Sequence, residues 1–349
     1  MASTLSVQAQ KEDNPPLFIA AQFDEAYPFS EGLAVVRIGQ KFGVIDNIGR
    51  TVAFCKYDQI EPFSEGRAVV RVGDKYGYID TDGKEVIAPD KYVAAWPYRN
   101  GLALVVIDQQ RFLYGYIDMD GNTIVPFRLA EANSFSEGIA IVKDPRNEYC
   151  EMLKYTGGKD YNERMRHLSR TPINGVTTCR TAGTFHDGIA KVQIDRYAGF
   201  INTDGKMVLP AMYDAQLIGD FNESLCPIAV KGKGTALAWG YIDTLGDTVV
   251  ACRFAEAYPF QARLAAVRDA KSGKMGFIGM DGSWRIKPQY DGVRSFSDSY
   301  AVVVKNNKYG FINIEGDVMV APRYDDAKSV SEGLAPVRVG NKWGYIKLF

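Results

Sequence analysis

One five-residue pattern returns along the whole chain: an aromatic residue, Gly, a second aromatic, Ile, and usually Asp or Asn. It stands at Tyr76–Asp80, Tyr114–Asp118, Trp239–Asp243 and Tyr309–Asn313, and a shortened copy closes the chain at Trp343–Ile346. Looser copies occupy Phe42–Asp46, Ala198–Asn202 and Met275–Gly279, and an eroded candidate lies around Met152, ahead of Gly158-Lys159. A second landmark precedes each copy, the corner Phe29-Ser30-Glu31-Gly32. It recurs at Phe63–Gly66, Phe135–Gly138, Phe185–Gly188 and Val330–Gly333, with weaker versions at Tyr98–Gly101, Phe221–Ser224, Phe260–Arg263 and Phe296–Ser299. Both landmarks count nine. Most units run 34 to 39 residues, with one outlier of 50 between Gly138 and Gly188. A fixed period in this range describes supersecondary units that bury their apolar faces only against one another. The 349 residues therefore form one array over 17–349 rather than two or three unrelated domains. An irregular insertion falls near 143–182, and a flexible tail occupies 1–16.

Each unit reads as an antiparallel β-meander. In one of them, alternation over Ala68–Val72 leads to a turn at Gly73-Asp74, then the aromatic strand Lys75–Ile79, a Thr-Asp-Gly turn and Glu85–Ala88. Period-two geometry puts Trp343 and Tyr345 on one face and Gly344 with Ile346 on the other. The aromatics are expected to stack unit on unit, and the Gly to leave room for a large side chain from a neighbour. The fold class is all-β, an array of about nine short antiparallel β-meander repeats. Its last unit stops halfway, at Phe349, while Leu17–Phe29 supplies the missing half. Joining the halves closes a propeller-like ring and protects the edge strands. Because 34 residues is short for a blade of around 40, an open β-superhelix is an equal alternative.

This pattern resembles the WG-repeat family of bacterial proteins, whose unit runs aromatic-Gly-Tyr-Ile-Asp, Gly-Lys, Val-Ile-x-Pro, Tyr-Asp and Phe-Ser-Glu-Gly-Leu-Ala. The unit from Tyr76 supplies Gly83-Lys84, Val86-Ile87-Ala88-Pro89 and Tyr92. The unit from Tyr309 supplies Val320-Ala321-Pro322, Tyr324-Asp325 and Ser331-Glu332-Gly333-Leu334-Ala335. The resemblance covers nearly all of 17–349 and breaks at about 143–182. It implies architecture more than activity.

Little in the chain equips it for acid-base chemistry: it has two His against 38 Phe and Tyr. Formal charge is -1, so no global field draws nucleic acid or an anionic membrane. No apolar run approaches the 18 or more residues of a transmembrane helix. The opening Met1–Gln10 carries Val7-Gln8-Ala9, which looks like the end of a cleavable export signal without its apolar stretch. Export to the periplasm or cell surface is one expectation, a cytoplasmic protein with an ordinary tail the other. Five cysteines, Cys55, Cys150, Cys179, Cys226 and Cys252, show no C-x-x-C spacing and are expected to be buried thiols, with Cys55 and Cys252 at equivalent core positions. No cofactor or metal is implied, and nothing in the sequence sets an oligomeric state.

Asp80-Thr81-Asp82-Gly83 and Asp118-Met119-Asp120-Gly121 open like a calcium loop. Position 12 counts to Lys91 and Leu129, so hairpin turns are the better reading. The corner Glu reads as a solvated or capping carboxylate beside a Gly at positive φ. No nucleophile elbow, metalloprotease or phosphate-loop motif is present, and Lys231–Thr235 reads as a hairpin turn. His186 replaces a corner residue. His167 lies in the insertion amid Arg164, Arg166 and Arg170, a basic cluster that suits a partner or anionic ligand, since loops on a rigid scaffold often carry function. A Cys-His nucleophile using Cys150 or Cys179 would need the imidazole beside a thiol. The expected function is a non-catalytic repeat scaffold binding a protein or a surface polymer, with the insertion as the favoured contact. A glycan- or peptidoglycan-binding module of the cell envelope comes second, and an enzyme using the insertion third.

Overall fold

Every corner is a two-residue hairpin turn. Ser30 and Leu33 exchange backbone hydrogen bonds of 2.8 and 3.2 Å, while Glu31 and Gly32 between them sit at φ 57° and 77°. Positive φ at both central residues defines a type I′ turn, which Gly enters without strain. Ser224, Arg263 and Ser299 hold the Gly place at φ 65°, 60° and 65°, so three corners carry side chains in a costly conformation. The computed structural model describes residues 16–107, 113–157, 163, 167–179, 181–231 and 236–349.

Ahead of the corner lies a strand of only two residues, as in Glu25–Ala26, Gln59–Ile60 and Asp326–Ala327. Longer strands follow, in the first unit Leu33–Ile38, Lys41–Asp46 and Thr51–Tyr57, paired antiparallel in sequence order. The very short inner strand is what lets about 34 residues make a propeller blade. Among the described residues the strands group into eight antiparallel sheets, six of four strands, one of three and one of six. The six-stranded sheet holds two repeats, because Thr248–Gln261 runs without a break from one unit's outer strand into the next unit's inner strand. Other units break there at Asp58 or Asp325, whose carboxylates accept the turn N–H of Gly73 or Gly340; this one has Ala255.

The ring closes. Leu17–Phe23 pairs with Lys342–Lys347, matching Leu17 with Ile346, Ile19 with Tyr345 and Phe23 with Trp343. That pairing settles the choice between ring and superhelix in favour of a closed β-propeller. Nine apolar clusters follow, each joining two neighbouring units; Ile19, Phe23 and Phe29 share one with Trp343 and Tyr345 across the closure. At six junctions the second aromatic of the motif meets the next corner's aromatic, as Tyr78 with Tyr98 (4.9 Å), Tyr241 with Phe260 (4.8 Å) and Tyr345 with Phe29 (5.0 Å). Where that aromatic is Tyr, its hydroxyl donates to a carbonyl of the next unit: Tyr78 to Trp96, Tyr116 to Asn133, Tyr241 to Tyr258 and Tyr345 to Tyr27. A fully buried phenol thus keeps its polar atom satisfied.

The motif Gly plays a different part from the expected one. Its space is taken by backbone of the same unit's outer strand, which bulges towards it. A Cβ on Gly43 would lie 2.6 Å from the Ala53 carbonyl oxygen, and one on Gly344 would lie 2.5 Å from that of Ile19. The ladder register slips at each of these bulges. Pro89, Pro288 and Pro322 sit on bulges, with Pro89 N 2.6 Å from a Cβ placed on Gly77. An irregular strand position asks little of the missing N–H. Cys55 and Cys252 occupy this bulge site too, so they are equivalent as expected, yet half-exposed rather than in the core.

The 50-residue unit departs from the rule. Glu151–Tyr155 takes the aromatic strand's place, with Glu151 opposite Val142 where Gly43 stands opposite Val36. A side chain fits because Leu168–Pro172 pairs with that strand in unbroken register, without a bulge. The described part of the insertion supplies core: Cys150, Met152, Ile173, Val176 and Cys179 are buried together. Among the described residues no helix is long and apolar enough to cross a membrane.

Candidate functional site

The corner carboxylates are neither idle nor simple caps: each holds the next unit. Glu31 accepts the N–H groups of Glu65 and Gly66 (2.6 and 2.8 Å), and Glu65 accepts those of Asn100 and Gly101, both at 2.7 Å. The relay continues through Asn100, Glu137, Asp187 and Glu223, and from Asp298 to Gly333. Glu332 closes it by accepting Gly32 N–H at 2.9 Å. The one interruption is Ala262, which has no acceptor to offer Ser299. The first Asp of each Thr-Asp-Gly turn is likewise used locally, Asp80 accepting the N–H of Asp82 and Lys84.

With corners, turns and motif aromatics committed to the ring, one place whose chemistry varies is the residue three before the corner Ser. Across units it is Tyr27, Glu61, Trp96, Asn133, Gly183, Gly219, Tyr258, Arg294 or Lys328. Aligning units on the corner would have revealed this position from sequence; the eye goes instead to what repeats. These side chains lie beside the inner strands, where three successive units come close enough to line a single cavity. One such cavity, about 670 Å³, is walled by Trp96 and Tyr114 of the third unit, Glu131 and Asn133 of the fourth, and Ala182 and Thr184 leading into the fifth corner. Trp96 and Tyr114 face each other at 5.9 Å between centroids, 39° apart. Glu131 is positioned by Thr178 Oγ1 and Cys179 N–H, which donate to its Oε2 at 2.9 and 2.6 Å. Asn133 Nδ2 donates to the Ala182 carbonyl at 2.9 Å. The insertion thus serves as one wall and the positioning shell of this cavity.

Of the sequence-predicted cluster, His167 and Arg170 fall among the described residues. Arg164 and Arg166 lie outside the described residues. His167 is exposed, its Nδ1 3.0 Å from Thr156 Oγ1, whereas Arg170 is ion-paired to Glu151 at 2.8 Å. His167 adjoins the Leu168–Tyr155 end of the pairing, and Cys150 lies beyond the opposite end, where Glu151 meets Pro172. At about 3.3 Å per strand residue this separates imidazole from thiol by well over a hydrogen bond, so no Cys-His pair is assembled. The Cys179 thiol is pushed far up by its hydrogen bond with Cys150 and by burial, and burial raises Cys226 to about 12. Such thiols stay protonated and unreactive.

Comparison with known proteins bears on the fold. A crystal structure of a eukaryotic initiation factor superposes with a TM-score of 0.60 at 10% identity, covering 95% of this chain and 92% of that one. The dihydro-heme d1 dehydrogenase NirN, in complex with DHE, gives 0.48 at 12% identity over 84% of this chain and 74% of its own. At such identities the first match speaks for the fold alone. No curated protein matches the sequence. The WG containing repeat profile matches residues 17–42, 42–76, 76–109, 114–144, 199–233, 239–269, 275–309 and 309–343, skipping the stretch that holds the insertion. The chain belongs to the WG-containing repeat family.

Proposed function

We propose that the protein is a non-catalytic binding scaffold whose contact is the inner-strand cavity of the third to fifth units. The observation that carries this reading is the division of labour around the ring. Corner carboxylates and buried tyrosines hold units together and turn aspartates brace their own turns, while the position three before the corner changes chemistry from unit to unit. A rigid frame presenting variable side chains at one radius is what recognition requires. The described part of the insertion contributes a wall of the cavity through Thr178, Cys179 and Ala182. The second motif aromatics, such as Tyr78, Tyr241 and Tyr345, are buried in the junctions and so are not available to a glycan.

Affinity capture from lysate and envelope fractions tests this. The intact chain, Trp96→Ala, and a double Arg164→Ala/Arg166→Ala variant are compared, with thermal melting to confirm folding. A partner retained by the double variant and lost with Trp96→Ala supports the cavity. A partner lost only with the double variant moves the contact to the insertion.

A further inference from the structure

Two of the five cysteines meet. Cys150 and Cys179 are both fully buried, both are free thiols, and they share one apolar cluster with Ile173, Val176 and Phe185. Backbone contacts bring them together. Cys150 N–H donates to the Val176 carbonyl at 2.7 Å and its own carbonyl accepts the Ile173 N–H at 2.8 Å, which lays Cys150 against the segment just ahead of Cys179. Cys179 is held from the other side, its N–H donating to Glu131 Oε2 at 2.6 Å and its carbonyl accepting the Ala182 N–H at 3.2 Å. The two thiols are hydrogen-bonded to each other.

The other three cysteines are placed differently. Cys226 Sγ donates to the Gly219 carbonyl at 3.4 Å and Cys252 Sγ to that of Ile228 at 3.8 Å, while Cys55 lies on the first unit's bulge. The buried pair also has a particular place in the fold. It brackets the open end of the hairpin of Glu151–Tyr155 and Leu168–Pro172, where Glu151 pairs with Pro172. A link there closes a loop of about 30 residues, and tying the ends of such a loop removes conformations open to the unfolded chain.

We propose that Cys150 and Cys179 join in a disulfide bond when the chain folds in an oxidising environment, stapling the unit in which the aromatic motif is eroded. Sulfurs already in hydrogen-bond contact need only side-chain rotation to reach bonding distance. The bond forms before the apolar plug closes. In the unfolded chain a cysteine has its ordinary pKa of about 8.5 and supplies thiolate, whereas in the folded chain both sulfurs are out of reach of solvent. One cysteine thiolate attacks a small-molecule disulfide such as oxidised glutathione, giving a mixed disulfide and one released thiolate; the second cysteine thiolate then displaces the other half. Two cysteine thiols are oxidised to one disulfide, the reagent is reduced to two thiols, and the two cysteine protons pass through solvent to the released thiolates. The staple is independent of where a partner binds, and it fixes the Cys179 amide that positions Glu131.

Refolding of the full chain tests this. Reduced, denatured protein is diluted into a buffer rich in oxidised glutathione, remaining thiols are blocked under denaturing conditions, and links are mapped by mass spectrometry of unreduced peptides. The expected product carries one link, between the peptides of Cys150 and Cys179, with Cys55, Cys226 and Cys252 blocked. Its melting midpoint lies a few degrees above that of the reduced chain. Cys226→Ala keeps this difference, and the double variant Cys150→Ala/Cys179→Ala removes it. Five blocked cysteines after refolding overturn the proposal, as does a preferred link to Cys55, Cys226 or Cys252, or a linked chain that melts no higher than the reduced one. Should the double variant fail to fold, the mapped link and the midpoint of the intact chain decide by themselves.

Discussion

The arc around the ring closure and the arc opposite it solve the same problem with different redundancy. Between the first and second units, Glu31 takes two N–H groups, Lys41 pairs with Asp58 at 2.6 Å, and Ser30 donates to the Phe63 carbonyl at 2.8 Å. Across the closure, Glu332 binds Gly32 N–H and Lys342 pairs with Asp24 at 2.7 Å. Opposite, Glu137 accepts one N–H, that of Gly188 at 2.9 Å, and Asp187 accepts that of Ser224 at 3.0 Å, beside Ser136 donating to the Phe185 carbonyl at 2.7 Å and Lys191 paired with Asp220 at 3.3 Å. There the apolar plug of Cys150, Ile173, Val176 and Cys179 is added to these ties. The lesson is that the polar ties of the repeat persist where its aromatic motif is lost, with an apolar plug in the motif's place.

The largest effect is expected from opening the closure. Removing residues 17–23 deletes the buried Ile19 and Phe23, about 1.5 to 3 kcal/mol each, and leaves Lys342–Lys347 as a bare edge. Urea unfolding should lose its single cooperative transition and size-exclusion should show aggregates. A variant that melts like the intact chain would mean the regular arc does not depend on closure.

Next comes the bulge. Gly77→Ala places a Cβ against backbone 2.6 Å away at Pro89 N and should cost about 2 to 4 kcal/mol. Glu151→Ala, at the matching place in the irregular unit, loses the pairing with Arg170 and the hydrogen bond from Asn147 and should cost about 1 kcal/mol. Equal losses in denaturant melts would remove the bulge as the reason for the motif Gly.

How much of this was legible follows the range of each contact. Nine units, the complementary ends and the stacking of aromatics all lay in local patterns such as Trp343–Ile346 against Leu17–Phe29. The duty of Glu31 did not, because its partners Glu65 and Gly66 sit a full repeat away and nothing near Glu31 announces them. The Gly77 bulge likewise needs Pro89, on another strand, to be read in register with it. The cavity was hidden for a third reason: Trp96, Tyr114 and Glu131 are ordinary residues that become a site only when three units converge.

The gap at Ala262 offers a gain. Its φ of 55° matches that of the glutamates in the other corners, so Ala262→Glu adds no strain and supplies an acceptor for the next corner's N–H. The variant should stabilise by about 0.5 to 1 kcal/mol, and Glu65→Ala should cost a similar amount, both discounted for solvent exposure. For a chain of this size that is a shift of a few degrees at most in melting temperature. No gain from Ala262→Glu would show that the relay is geometry without energy.

The smallest effect is a difference in acid response. The hydrogen bond from Lys41 holds Asp58 below the usual carboxylate range, and Lys342, Lys274 and Lys308 do the same for Asp24, Asp291 and Asp325. A carboxylate whose folded pKa is depressed binds its proton first in the unfolded chain. Its contribution is therefore complete above the ordinary value near 4 and is lost as pH falls through the lower folded value. Each of these aspartates also accepts a turn N–H, from Gly73, Gly39, Asn306 or Gly340. Exchange protection at these four amides, corrected for intrinsic rate, should therefore fall as pH drops below the ordinary carboxylate value near 4. In the fourth unit the buried Asp144 is held still lower by Arg146, so the Arg146 amide it accepts should keep its protection to a more acid pH. Asp58→Asn should flatten the response at Gly73 and leave Gly340 unchanged. Loss of protection at Gly73 with an unaltered pH dependence in that variant would mean that the lysine–aspartate ties do not set the acid sensitivity of the regular arc.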